Sequence, residues 1–179
     1  MMQPTLIGPS VRLRPLEPGD FDSLYAVASD PEIWAQHPAR NRYQPDVFRR
    51  YFDDGLASGG ALLILDARGE ALGASRYSAD PAAPGRVEIG STFLSRRAWG
   101  GTINREVKTL MLRHAFQVVD TVFFRIGENN LRSRRAMEKI GGQLADQTEV
   151  VPGLDGGPVV HVIYEIHRDR YLDVGAKAD

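Results

Sequence analysis

One segment of the chain carries the features that hold a phosphorylated ligand. Between Arg96 and Glu106 two glycines, Gly100 and Gly101, stand where a predicted strand ends and a predicted helix begins. Glycine has no Cβ, so the backbone there can approach a ligand closely. The first helical turn leaves N–H groups without partners, and the helix dipole adds partial positive charge. The segment therefore predicts an anion site that suits a pyrophosphate; the alternative is a glycine turn that serves the backbone only.

Basic residues surround this junction. Arg96 and Arg97 precede the glycines, and Arg105 and Lys108 lie within the helix that follows. A basic residue in a first helical turn opposes the helix dipole, and a bound anion relieves that conflict. The segment has neither the Gly-Lys-Ser/Thr ending of a nucleotide-binding loop nor the three-glycine dinucleotide motif. The predicted anion site is therefore of another kind.

A second group of polar residues opens a later helix. Asn130 precedes this helix, and Ser133 falls on its apolar face. A hydroxyl on an apolar face needs a hydrogen-bond partner, which is either a carbonyl of the same helix or a bound ligand. The residues that share this face with Ser133 are Ala136, Met137 and Ile140.

Other polar residues form no metal-binding or nucleophile pattern. The chain has no Cys, which removes disulfides, thiol nucleophiles and zinc–thiolate sites. His114 falls on the apolar stripe of a predicted helix and is interpreted as a core residue. The His residues are scattered, so no metal is predicted; they are His37, His114, His161 and His167.

Hydrophobic periodicity predicts the elements that position these groups. The predicted strands are Val11 to Arg14, Ala61 to Asp66, Leu72 to Ser78, Arg86 to Leu94, Val122 to Ile126, Leu144 to Val151 and Val159 to His167. The predicted helices are Phe21 to Ser29, Pro31 to Trp34, a segment from Pro45 to Gly59, Ile103 to about Val118, and Leu131 to Ile140.

The order of these elements predicts the fold class. Strands, helices and strands follow one another with one helical crossover, which indicates an α+β fold with a mixed, mostly antiparallel central sheet flanked by helices. The fourth of these strands alternates throughout, and the expected faces are Val87, Ile89, Ser91 and Phe93 on one side and Glu88, Gly90, Thr92 and Leu94 on the other.

Length and composition limit the function classes. The 179 residues predict one domain spanning residues 1–179, with a core at about 11–167 and a polar tail at 174–179. The formal net charge of −1 argues against general nucleic-acid binding. No apolar run reaches the roughly 18 residues of a membrane span, and the N-terminus lacks the pattern of a signal peptide. We therefore expect a cytoplasmic protein without a membrane or nucleic-acid partner.

The glycine junction resembles the signature of the GNAT acetyltransferases, which transfer an acyl group from coenzyme A to an amine. The signature R/Q-x-x-G-x-G/A is matched by Arg97, Gly100 and Thr102, with Thr a departure in the last position. The Asn-x-x-Ser element of the family is matched by Asn130 and Ser133. The resemblance covers about Val11 to Ile166 and is greatest to the ribosomal-protein-type branch, whose motif is matched by Trp99, Gly100, Asn104, Glu106 and Lys108.

This resemblance implies acetyl-coenzyme A as cosubstrate and assigns residues to it. The pyrophosphate would lie on the loop, and the pantetheine arm would bind main-chain groups of the preceding strand, which in the family splays from its parallel neighbour. An Arg of the next helix, Arg132, Arg134 or Arg135, meets the 3′-phosphate or is simply solvated. The implied cofactor-binding residues are Phe93, Leu94, Arg97, Gly100, Gly101, Thr102, Ile103, Asn104, Asn130 and Ser133.

The resemblance also implies catalytic and acceptor residues. Glu88 stands where relatives often carry a base that acts through water, and otherwise it is a solvated carboxylate. Many relatives place a Tyr acid where Met137 stands, so Ser133 with a water is the expected substitute. The acceptor wall is expected at Trp34, Arg76 and Tyr77, with Arg42 and Tyr43 as further candidates.

Several functions remain open at this point. The first hypothesis is direct attack by a primary amine in a ternary complex, since neither Cys nor a Ser–His pair supports a covalent intermediate. The amine belongs to a small molecule or to a protein N-terminus. The alternatives are a non-catalytic coenzyme A-binding sensor or module and a transferase with another acyl donor. A homodimer is expected because relatives often dimerise.

Overall fold

The structure is a computed structural model that describes residues 2–175, with side chains described for residues 2–171. Its strands are β1 Leu6–Ile7, β2 Val11–Pro15, β3 Ala61–Asp66, β4 Ala71–Ala79, β5 Arg86–Leu94, β6 Thr121–Gly127, β7 Gln143–Pro152 and β8 Pro158–His167. Its helices are α1 Phe21–Ala28, α2 Pro31–Trp34, α3 Pro45–Ser58, α4 Ile103–Ala115, α5 Leu131–Lys139 and α6 Arg168–Gly175.

The strands form one eight-stranded sheet in the order β1-β2-β3-β4-β5-β6-β8-β7. Strands β5 and β6 run parallel, and every other neighbouring pair runs antiparallel. A parallel pair requires a long crossover, and α4 lies within it. The predicted α+β class, with a mostly antiparallel sheet and one helical crossover, is confirmed.

The two parallel strands pair only at their beginnings. Their register runs from Arg86 opposite Thr121 to Glu88 opposite Phe123, and residues 2–175 hold no further β5–β6 pair. Both strands continue, to Leu94 and Gly127. The strands therefore separate in a wedge, and backbone groups along the wedge are not used by this pairing.

A β-bulge in β5 changes which residues face which side. Ala74 pairs with Phe93 and Arg76 with Gly90, so two residues of β5 oppose one residue of β4. At this point Ser91 has a φ of +49°, which is unusual for a residue with a side chain. The extra residue shifts the alternation by one. The prediction that Phe93 shares a face with Val87 and Ile89 is therefore wrong.

Two hydrophobic clusters cover the two faces of the sheet. The cluster that we call the α4 face contains Val107 and Met111 of α4 together with Val87, Ile89 and Leu94 of β5. The cluster that we call the α3 face contains Leu24, Trp34, Phe48, Phe52 and Phe93. The bulge thus sends Leu94 to the first cluster and Phe93 to the second.

The chain ends contain elements that the sequence analysis did not predict. Residues 174 and 175 end α6, and residues 176–179 of the predicted polar tail lie outside the described residues. The two-residue strand β1 is also absent from the prediction, because two residues carry too little periodicity. Within residues 2–175 no helix is long and apolar enough to cross a membrane.

Candidate active-site cavity

The loop before α4 presents open backbone. Gly100 has a φ of +70°, a conformation that favours glycine. A Cβ added at Gly101 would meet no described heavy atom within 4 Å. Thr102 is the N-cap residue of α4, and its side chain makes no capping hydrogen bond to the backbone of residues 103–115. The first amides of α4 are thus free of a side-chain cap and accessible, which fits an anionic group.

Two residues of the Trp-Gly-x-x-x-Asn-x-Glu pattern hold this loop in place. The Trp99 Nε1–H donates to the carbonyl of Leu94 at 3.1 Å. The Glu106 Oε1 accepts from the backbone N–H groups of Ser10 at 2.8 Å and Val11 at 3.1 Å. These bonds fix the start of α4 against the end of β5 and the beginning of β2. Trp99 and Glu106 therefore position the loop.

The arginines beside the loop are engaged with other parts of the chain. The Arg96 Nε lies 2.5 Å from a carboxylate oxygen of Asp30, and this bond lowers the pKa of Asp30. Arg97 lies 2.9 Å from the carboxylate of Asp66. Arg105 donates to the carbonyl of Lys139 at 3.3 Å. The Arg97 guanidinium is therefore already paired with a carboxylate at the end of β3.

A cavity of about 240 Å³ lies in the wedge between β5 and β6. It is lined by β5 at the bulge, by the end of β6, by the cavity side of α4 and by the first turns of α5. Seven of the predicted site residues line it, namely Trp34, Phe93, Leu94, Gly100, Asn104, Asn130 and Ser133. Seven others are not among its lining residues, namely Arg76, Tyr77, Glu88, Arg97, Gly101, Thr102 and Ile103.

Asn130 and Ser133 have distinct roles in the structure. Asn130 is buried, and its Oδ1 accepts from the backbone N–H of Ser133 at 3.4 Å, so it caps α5. This bond orients the first turn of α5. Ser133 itself and the buried Met137, one turn later, both line the cavity.

Glu88 is held beside the wedge by an arginine. Its Oε2 lies 2.5 Å from Arg125, whose Nε also binds Glu149 at 2.7 Å. Burial raises the pKa of Glu88, while the charge of Arg125 and its hydrogen bond oppose that rise. A carboxyl with a raised pKa is better matched to proton transfer near neutral pH than an exposed one.

The three residues predicted for the acceptor wall separate in the structure. Trp34 is buried, donates from Nε1 to Ala28 at 2.8 Å, and lines the cavity. Arg76 donates to the carbonyl of Tyr51 at 3.4 Å. Tyr77 lies in the α4-face cluster, where its hydroxyl donates to the carbonyl of Met111 at 2.7 Å. Adjacent residues of a strand point to opposite faces, so Arg76 and Tyr77 do not meet.

The three arginines of α5 make different contacts. The Arg132 guanidinium lies 3.8 Å from the centroid of the Trp99 ring and donates to the carbonyl of Ile33 at 3.0 Å. Arg134 donates to the carbonyl of Glu128 at 2.9 Å. Arg135 is exposed. Of the three, Arg132 lines the cavity.

Lys108 is the cavity residue whose importance the sequence analysis missed. The side chain is buried, and its Nζ donates to the Thr92 Oγ1 at 3.0 Å. Burial lowers the pKa of Lys108 to about 7. The available signal was its spacing, since Lys108 lies one turn after Asn104 and next to the apolar Val107 on α4.

The described residues can be compared with two possible ligands, a metal ion and coenzyme A. Within residues 2–175 no group of three His, Cys, Asp or Glu side chains is arranged to hold a metal. The arrangement described above fits coenzyme A, because the loop offers amides without a side-chain cap and the wedge offers a cavity beside strand backbone that the β5–β6 pairing does not use.

Comparison with known proteins gives a family match. Residues 10–143 match the family model described as an acetyltransferase (GNAT) domain. A comparison with curated protein sequences finds no significant match.

The fold is similar to that of many solved structures. A GCN5-related N-acetyltransferase from Brucella melitensis superposes with a TM-score of 0.82 at 20% identity, covering 95% of this chain and 81% of that one. A spermidine N-acetyltransferase from Vibrio cholerae, in complex with coenzyme A and spermine, gives 0.71 at 14% identity, covering 92% and 99%. Mycobacterium smegmatis RimJ, in complex with coenzyme A disulfide, gives 0.72 at 16% identity, covering 94% and 89%.

Proposed function

Because the chain belongs to the GNAT acetyltransferase family, we propose that it transfers an acetyl group from acetyl-coenzyme A to a primary amine. The observation that carries this proposal is the accessible, uncapped start of α4 beside a cavity in the β5–β6 wedge. An anion-binding helix start that opens onto a narrow cavity suits a long molecule with a diphosphate at one end and a reactive group at the other.

The binding residues follow from this arrangement. The backbone from Gly100 to Asn104 would hold the pyrophosphate, with Thr102 and Ile103 contributing amides of the first helical turn. The main-chain groups of Phe93 and Leu94 would hold the pantetheine arm. Asn130 supports the opposite wall by capping α5.

The chemistry requires one proton to leave the amine and a stable leaving group. The bound thioester supplies the acyl group, with a thiolate as the leaving group. Glu88, through a water molecule, would take the proton of the attacking amine. The Ser133 hydroxyl would donate a hydrogen bond to the departing sulfur. The chain has no Cys, which agrees with direct attack by the amine.

The charge of the cavity favours one class of acceptor. Its described lining residues include three basic side chains, Lys108, Arg125 and Arg132, and none is Asp or Glu. A polyamine carries several positive charges, and the lining residues offer no carboxylate to pair with them. We therefore propose an amine carried by a molecule without further positive charge, or a protein N-terminus as expected for the ribosomal-protein-type branch.

The proposal is tested by binding and by thiol release. Calorimetry should show binding of coenzyme A to the folded protein, and acetyl-coenzyme A should release free thiol with at least one amine of a panel. The panel compares amino acids, N-terminal peptides and polyamines. Absence of coenzyme A binding would overturn the proposal. Tight binding without thiol release from any amine would support a non-catalytic module, and faster turnover of succinyl-coenzyme A would support another donor.

A further inference from the structure

Lys108 occupies a position that the proposed function has not used. It projects from α4 into the cavity and is only 5% exposed. Its Nζ donates to the Thr92 Oγ1 at 3.0 Å, and that oxygen is 2.7 Å from the hydroxyl of Ser75. The Nζ also lies 5.3 Å from the centroid of the Phe124 ring on β6. The amine is therefore held inside the wedge, next to the bulge of β5.

Burial, rather than a neighbouring charge, explains the lowered pKa of Lys108. No carboxylate of residues 2–171 forms an ion pair with it, and burial is the cause that lowers its pKa to about 7. The cationic neighbours in the cavity are Arg125, which is paired with Glu88 and Glu149, and Arg132, which lies over Trp99. Thr92 and Ser75 are neutral. Near pH 7 the amine therefore exists in both its charged and its neutral form.

Among the described cavity residues, Lys108 is the group best suited to donate a proton at neutral pH. Burial lowers the pKa of His37 to about 3, and its Nδ1 accepts from the backbone of Ala39 at 2.9 Å. Burial also lowers the pKa of His161. Both imidazoles are therefore neutral at pH 7. Arginine does not release its proton, and the thioether of Met137 has none.

We propose that the Lys108 ammonium protonates the departing sulfur of coenzyme A. As the amine nitrogen bonds to the carbonyl carbon, the carbon–sulfur bond breaks and its electron pair stays on sulfur. The sulfur takes a proton from Nζ, which becomes neutral and is recharged by solvent. The extra proton on the acceptor nitrogen leaves to the base. This step rests on the proposed function, and Ser133 then orients the sulfur while Lys108 supplies the proton.

The first test compares binding affinities, without turnover, to detect contact between Lys108 and the sulfur of coenzyme A. Wild type at pH 6, where Lys108 is charged, should bind coenzyme A about tenfold more tightly than desulfo-coenzyme A, the order expected of one hydrogen bond from a charged donor. Lys108→Met should remove this preference, whereas Lys139→Met, which removes an exposed lysine of α5, should keep it. Equal loss of affinity for both ligands in Lys108→Met, or an unchanged preference, would overturn the proposal. Failure of wild type to bind either ligand would instead overturn the proposed function.

The second test reads the amine directly. The chain has three lysines, Lys108, Lys139 and Lys177, so ¹³C-lysine NMR of the free protein gives few signals, and the Lys108→Met spectrum assigns one of them. That signal should titrate near pH 7. Titration of Lys108 near the ordinary lysine pKa of about 10.4 would remove it as an acid at neutral pH.

The kinetic consequence separates a proton donor from a packing residue. Lys108→Met should lower kcat by about 10²-fold or more, the usual contribution of general acid catalysis, with little change in the KM for acetyl-coenzyme A. Lys108→Arg keeps the charge but does not release a proton, so it should keep the preference for coenzyme A over desulfo-coenzyme A and still turn over slowly. Full activity of Lys108→Met in a protein of wild-type stability would overturn the proposal.

Discussion

The two faces of the sheet are built from different kinds of residue. On the α4 face the cluster is mainly aliphatic, and the groups proposed to contact a ligand are backbone amides and one buried lysine. On the α3 face the cluster is richer in aromatic rings, with Trp34 and Phe93 ring centroids 5.1 Å apart and Phe48 and Phe93 6.0 Å apart. On the α4 face the candidate binding groups belong to one short sequence motif, the loop before α4. On the α3 face the surface is formed by side chains that lie far apart in the sequence.

The charges on the α3 face show the same contrast. The Arg42 guanidinium lies 5.2 Å from the Trp34 ring centroid and 4.8 Å from that of Tyr51. Burial lowers the pKa of Arg42 and raises the pKa of Tyr51 to about 12. The nearby Arg76 Nε is buried and finds no hydrogen-bond partner among the described residues. The guanidinium groups here lie against aromatic rings.

The largest effect should come from removing the ring that the bulge sends to the α3 face. Phe93→Ala should lower the free energy of unfolding by about 3–5 kcal/mol, because a buried aromatic ring leaves a large cavity. Chemical denaturation measures this loss. Ile89→Val on the α4 face is the matched control and should cost about 0.5–1.5 kcal/mol. A loss from Phe93→Ala no larger than that control would contradict the packing difference between the faces.

The next effect concerns the loop on the α4 face. Gly101→Val should weaken coenzyme A binding by about 10- to 100-fold, or about 1.4–2.8 kcal/mol, because the side chain would enter the space proposed for the phosphates. The fold should be retained, since a Cβ at Gly101 meets no described atom within 4 Å. Gly19→Val, another glycine with open space, is the control. Unchanged affinity, measured by calorimetry, would show that the phosphates lie elsewhere.

A smaller effect is expected at the wall formed by α5. Ser133→Ala should lower kcat by about tenfold, the order expected for one lost hydrogen bond to the leaving group, with less effect on coenzyme A affinity. Thiol release and calorimetry separate the two quantities. Ser29→Ala, at an exposed serine, should change neither. Wild-type turnover of Ser133→Ala would remove this hydroxyl from the mechanism.

The smallest effect is a change in pH dependence. Glu88 acts as a base only when ionised, so wild-type activity should fall as the pH drops through its raised pKa. In Glu88→Gln the amine must lose its proton to solvent, and the optimum should move upward by roughly one pH unit. Glu32→Gln, at an exposed glutamate of α2 away from Arg125, should not move it. An unaltered profile in Glu88→Gln would exclude this base.

The local pattern of the sequence was enough for most of the fold. The strand and helix order follows from periods of two and about 3.6 residues, which depend on neighbours along the chain. The glycine junction before α4 is also local, and it was predicted from residue type and spacing. The Asn130 cap of α5 is equally local, but the sequence analysis assigned Asn130 to the cofactor and did not predict the cap. Whether these groups bind coenzyme A is a separate prediction, which the experiments above test.

Only the tertiary structure determines which side chains of β5 lie on each face of the sheet. The bulge at Ser91 depends on the register between β4 and β5, and no period within β5 reveals that one residue is extra. The lowered pKa of Lys108 depends on water being excluded by segments far away in sequence, including β5 and β6. Desolvation and strand register depend on residues that are close in space but distant in sequence. They therefore cannot be predicted from the local sequence pattern.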